Sequence, residues 1–172
     1  RNNIDVQRRT LQVEKSDVDL STAKYSRLPD LNASVGADAS FGRVLELIAA
    51  SRAPVIAAIN GACVGGGFEL ALCCDLRIAS THAKFICAGV NVGLMASTYR
   101  LPRLIGASRA KAMLLTGLPH DADTAERWGL VTALHAPEAL LPAALELAAR
   151  IASRAPLSVE ASKRVADRAV DM

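Results

Sequence analysis

Glu69 stands two residues beyond three consecutive glycines, Gly65 to Gly67, inside the apolar stretch INGACVGGGFELALCCD. An acid on the first turn of an apolar helix must be solvated, paired or used for chemistry. Proton transfer is the chemistry that a carboxyl in such a setting suits. The preceding residues read as strand, then glycines, then helix. That order places backbone N–H groups at a helix N-terminus, where they lack intrahelical acceptors and face the positive end of the helix dipole. Such a turn attracts negative charge, and glycine lets a ligand approach the backbone closely. A dinucleotide site would need GxGxxG, which GACVGGG does not supply. A phosphate-binding loop would need Lys where Phe68 stands. A nucleophile elbow would need Ser or Cys where Gly66 stands. The remaining anion is one that forms during a reaction, an enolate or oxyanion. From pattern alone, tight packing of helix on strand explains three glycines equally well, and Glu69 tips the balance toward a site.

Other polar residues read as structural. His82, His120 and His135 show no metal-ligand or triad spacing, so no metal is expected. Asp75 ends a helix and reads as a capping or pairing group. Asp121 and Asp123 read as helix N-terminal residues. Ser97, Thr98 and Tyr99 follow a loop and are weak candidates for a pocket wall. Cys63, Cys73, Cys74 and Cys87 make no CxxC pair and lie in apolar surroundings, which reads as buried, reduced thiols.

The elements that position these residues follow from periodicity. Val44, Leu45, Leu47 and Ile48 predict a helix over Phe41 to Ala50. APVIAAIN reads as a buried strand ended by Asn60-Gly61, FELALCCD as a buried helix, LRIAS as a second strand, and KFICAGVNVG as holding a third. SRAKAMLLTG is a helix stopped by Gly117. Asp123 and Glu126 are spaced as a capping box. Pro137 opens a long helix, and APLSVEASKRVADRAV is a last amphipathic one. Strands alternating with helices imply parallel pairing and an α/β class.

The chain of 172 residues suits one domain, and 51% hydrophobic content permits a sizeable core. Aromatics are 3%, so aliphatic side chains must fill it. A net charge of +3 without dense basic runs or aromatic platforms argues against nucleic acid. The longest apolar run, Val55 to Phe68, is broken by Asn60 and glycines, which argues against a membrane span. With no apolar leader and reduced cysteines, a cytoplasmic location is expected.

The segment APVIAAINGACVGGGFELALCCDLRIAS resembles the signature of the crotonase superfamily, the enoyl-CoA hydratases and isomerases. The resemblance continues through AKFICAGVNVGL, YRLPRLIGASRAKAMLLTG and DADTAERWGLVTAL into the C-terminal helices, and upstream SVGAD resembles the family's oxyanion loop. It runs from Ser34 to Val170. It implies a crotonase-like spiral of ββα units over residues 34–134, C-terminal helices over 135–172, and a divergent segment over 1–33, all within a single domain. It implies an acyl-CoA thioester as substrate, which carries its own coenzyme A, and no further cofactor. The N–H groups of Ala37 and Gly66 would form the oxyanion hole, with Glu69 as acid/base. Val35, Gly36, Asp38, Gly65, Gly89 and Leu94 would line the substrate site. Lys111, Lys163, Arg164 and Arg168 read as a solvated helix face in preference to contacts with coenzyme A phosphates.

The hydratases hold a water between two glutamates. The position of the second is Gly89 here, and the following loop is shortened to LMASTYRL. Residues 1–33 do not resemble the segments that precede the oxyanion loop in the family, and the family runs on beyond Met172, so a chain truncated or divergent at both ends is expected. Exposed edges would then favour self-association, as a trimer or a dimer of trimers. Three functions remain open at this point: hydration or isomerisation of an enoyl-CoA, a decarboxylation that uses the same enolate, or acyl-CoA binding without turnover.

Overall fold

The computed structural model describes residues 41–171. The loop residues Val35, Gly36, Ala37 and Asp38, and the segment 1–33, lie outside the described residues. Helix α1 covers residues 41–49, one residue short of the predicted end. Strand β1 (Ile56–Ile59) turns at Asn60-Gly61 into β2 (Ala62–Val64), and helix α2 (Gly66–Cys73) follows at once. The chain then repeats itself. Strands β3 (Leu76–Ser80) and β4 (Lys84–Ile86) lead into a 3-10 turn (Ala88–Val92), then helices α3 (Arg100–Ile105) and α4 (Ala107–Thr116). A third pass holds β5 (His120–Asp121), α5 (Ala122–Arg127) and β6 (Leu134–His135). Helices α6 (Pro137–Ala152) and α7 (Pro156–Asp171) complete it.

Successive passes stack strand on counterpart. β1 runs parallel to β3, with Ile56 opposite Leu76 and Ile59 opposite Ala79. β2 runs parallel to β4, with Ala62 opposite Lys84 and Val64 opposite Ile86. β6 extends the first sheet in parallel beside β3, and β5 adds to the second antiparallel beside β4. The chain therefore winds as the expected α/β spiral of ββα units.

Alternation along β3 explains its burial on both faces. Ile78 packs with Leu140 and Ala144 of α6. Ala79, the next residue, belongs to the main core with Phe68, Leu72, Phe85, Leu101 and Met113. Phe68 and Phe85 meet edge to face, with ring centres 6.3 Å apart. In a chain with three phenylalanines, two of them thus anchor α2 on β4.

The sequence reading ended the strand at Asn60-Gly61 and assigned no strand to the residues between Gly61 and Gly65. The structure places Ala62, Cys63 and Val64 in β2. Three residues are too few to show a period, and β2 owes its form to pairing with β4. The capping box at Asp123 and Glu126 is also corrected. Helix α5 begins two residues earlier, where the Asp121 carboxylate accepts the Thr124 N–H at 2.9 Å.

Candidate active site

Gly65 is the N-cap of α2 and has φ +53, a conformation glycine adopts without steric penalty. Its carbonyl accepts the N–H groups of Phe68 at 3.0 Å and Glu69 at 3.1 Å. The N–H groups of Gly66 and Gly67 open the helix and have no acceptor within it. Gly66 is crowded, since a Cβ there would come within 3.1 Å of Phe41 Cζ. The ring of Phe41, four residues after Ala37 in sequence, therefore lies against the backbone of Gly66.

Glu69 sits on the first turn of α2 and is half-buried. Its Oε1 accepts a hydrogen bond from Ser97 Oγ at 2.6 Å. Ser97 is buried and has φ +60, the one non-glycine residue with positive φ among the described residues. Sequence reasoning gave Ser97 no part in the chemistry. A serine in the left-handed region has no sequence signal, because Gly and Asn are the residues that advertise it.

Glu69 has cysteines as neighbours. Burial, and secondarily the Glu69 charge, pushes the Cys87 thiol up to about 12. Burial, then the nearby Cys74 and Cys87, pushes Cys63 up to about 12. Burial also raises Cys73, with the Arg100 cation in partial opposition. These thiols are protonated near neutral pH and do not act as nucleophiles. Cys63, Cys73 and Cys87 are buried as expected, whereas Cys74 is half-buried.

Gly89 lies in the 3-10 turn that follows β4. A Cβ at this position would stand 2.6 Å from the carbonyl oxygen of Leu94, and its next nearest neighbours are also main-chain atoms, of Leu94 and Ala96. The Leu94 N–H in turn donates to the Gly89 carbonyl at 2.8 Å. Glycine is thus required by how the loop folds back on itself. Asn91 Nδ2 ties the same loop to the Gly117 carbonyl at 3.3 Å. The Leu94 side chain is 66% exposed, beside the exposed Met95.

Asp75 fills the structural role read for it. Its Oδ2 accepts the Val55 N–H at 2.7 Å and Lys163 Nζ at 2.8 Å. The Lys163 side chain is only 9% exposed, so it belongs neither to a solvated face nor to a phosphate site. Arg77, which sequence reasoning passed over, is buried and donates to the carbonyls of Ala71, Cys74 and Leu130. It closes the C-terminal end of α2, where a cation opposes the helix dipole.

A cleft of about 960 Å³ lies at that far end of α2, lined by Cys73, Cys74, Arg100, Lys163 and parts of α6 and α7. Neither Glu69 nor Gly66 lines it, so its size does not make it the site of proton transfer. Among the described residues, no group of three or more His, Cys, Asp or Glu could hold a metal. No described helix is long and apolar enough to cross a membrane.

A spiral of ββα units that presents a helix N-terminus beside one carboxylate defines a class of fold and site. The family model for enoyl-CoA hydratase/isomerase matches residues 28–172, and the chain belongs to that family within the crotonase superfamily. It is 47% identical to the crotonyl-CoA hydratase of Syntrophomonas wolfei over 128 residues, 73% of this chain and 49% of that one. The enoyl-CoA hydratase of Bacillus anthracis superposes with TM-score 0.81 at 34% identity, covering 84% of this chain and 57% of that structure. A monofunctional enoyl-CoA isomerase of M. smegmatis gives TM-score 0.71 at 42% identity, covering 77% and 64%. The chain spans about half the length of the curated relative.

Proposed function

We propose that this chain carries the proton-transfer centre of an enzyme acting on acyl-CoA thioesters, of the enoyl-CoA hydratase/isomerase type. The observation that carries the reading is the single turn of α2 that holds both the free N–H of Gly66 and the carboxylate of Glu69. The thioester oxygen is received by the N–H groups of Gly66 and Ala37. In hydration, Glu69 takes a proton from water as the water oxygen attacks Cβ. The electron pair of the double bond moves to the thioester oxygen as an enolate, and the proton is returned to Cα. In isomerisation, Glu69 removes the Cα proton of a 3-enoyl thioester and returns it at Cγ, again through the enolate. Gly65 and Gly89 shape the backbone around the acyl group, and the exposed Leu94 faces it. Val35, Gly36 and Asp38 complete the wall. Reduced thiols fit the cytoplasm, and the exposed Met95 fits assembly with further copies into a trimer or dimer of trimers.

The steric demand at Gly89 favours chemistry that needs one acid, isomerisation above all. Two-carboxylate hydration would have to draw its second acid from another position. The test is product analysis by mass spectrometry, with conjugation followed by enoyl absorbance, after incubation with short- and medium-chain 2-enoyl- and 3-enoyl-CoAs in ¹⁸O-water. Hydration adds one labelled oxygen, and isomerisation leaves mass unchanged while conjugation changes. Binding of thioesters with no turnover across the panel would overturn the reading in favour of an acyl-CoA-binding protein.

A further inference from the structure

We propose that Ser97 is a positioning residue for Glu69, so that the loop in which Gly89 forbids an acid supplies a hydroxyl instead. This rests on the reading of Glu69 as the proton-transfer group and names what holds it in place. The Ser97 Oγ donor lies 2.6 Å from Glu69 Oε1, the short range expected when the acceptor is charged. Ser97 is 8% exposed, so water competes poorly for the bond. One oxygen of Glu69 is thereby fixed, and the rotation of the carboxylate about its terminal bond is restricted. The second oxygen, Oε2, is left to the reacting proton.

The backbone reinforces the assignment. Ser97 keeps φ +60, where an L-residue is strained and glycine is not. Strain of this kind persists where the surroundings over-determine it, and it gathers at functional sites. A glycine at residue 97 would relieve the strain and lose the hydroxyl. The loop that presents Ser97 is itself held at two points, by the Leu94 to Gly89 hydrogen bond at 2.8 Å and by Asn91 against Gly117 at 3.3 Å. Glu69 is held from the other side by α2, whose Phe68 is buried against Phe85. The two partners are 28 residues apart in sequence, and rigid elements bring them together.

Ser97→Gly separates a positioning role from a structural one. The variant is compared with wild type by thermal melt and by steady-state kinetics on whichever enoyl-CoA the wild type turns over. The expected result is a melting temperature within a few degrees of wild type, because relief of strain offsets the lost bond, with KM within about twofold and kcat lower by about tenfold or more, the worth of a hydrogen bond to a charged group. Unchanged kcat in Ser97→Gly, with wild type active, overturns this proposal and leaves the role of Glu69 standing. A rise in KM at constant kcat also overturns it, since it would make Ser97 a substrate contact. A wild type inactive on every enoyl-CoA overturns the functional reading and this proposal with it.

Discussion

Replacing Gly89 by alanine puts the loop geometry to a quantitative test. The new Cβ would start 2.6 Å from the Leu94 carbonyl oxygen and 3.4 Å from its carbon. An ordinary carbon–oxygen contact is several tenths of an ångström longer, so the main chain at Leu94 must move. It cannot move freely, because its N–H is bound to the Gly89 carbonyl at 2.8 Å. Forcing extra volume into a packed site costs about 1–3 kcal/mol. For a chain of this size each kcal/mol lowers Tm by about 2–4 °C, so a fall of about 2–12 °C is expected. A shift of the Leu94 or Ala96 main chain, which the same Cβ would approach to 3.5 Å at the Ala96 nitrogen, would disturb the adjoining Ser97 and should lower kcat along with Tm. Gly89→Glu suffers the same collision and should lose at least as much stability without gaining hydration. Differential scanning fluorimetry and an enoyl-CoA assay on both variants suffice. An alanine variant that melts within a degree of wild type, or a glutamate variant that gains hydration at no loss of stability, would refute the steric reasoning.

Other consequences concern stability. Asp75→Ala removes the acceptor of the Val55 N–H and strands Lys163, whose side chain is 9% exposed; breaking so shielded a pair should cost about 3 kcal/mol, read from urea unfolding. Lys163→Met should cost less, because Asp75 keeps the Val55 N–H. The raised thiols give a pH dependence. Unfolded cysteines ionise near pH 8.5, while Cys63 and Cys87 hold their protons up to about 12 in the fold. Their contribution is complete below the unfolded value and declines as pH rises from there toward 12. Unfolding midpoints should therefore fall over that range, and a double Cys63→Ala, Cys87→Ala variant should show a shallower fall. Equal slopes would contradict it.

Much of α2 and its surroundings was legible, because the cues there are local. Gly61 and Gly65 mark turns, Gly117 stops a helix in the left-handed conformation at φ +61, and LRIAS is β3 residue for residue. What escaped was non-local. The two-residue strands β5 and β6 exist through pairing with β4 and β3 and carry no period of their own. Lys163 looked like part of a solvated face because its partner Asp75 lies 88 residues away. The capping box was misplaced because Asp121 and Asp123 each stand three residues before a polar partner, and only the start of α5 at Ala122 decides between them. In the site, the glycines and Glu69 share one local motif. Ser97 reaches Glu69 only because a loop of unusual backbone brings it there. Gly89 read as a missing acid, whereas the folded loop makes it a position where a side chain does not fit.

In the proposed function one carboxylate, Glu69, moves the proton. The most direct measurement is kcat of Glu69→Gln against wild type on the enoyl-CoA that wild type converts best, with thioester binding followed in parallel by calorimetry. Glutamine keeps size and shape but cannot accept a proton. A fall in kcat of roughly 10²- to 10⁴-fold with binding largely retained is expected. Equal rates in the two proteins would contradict it.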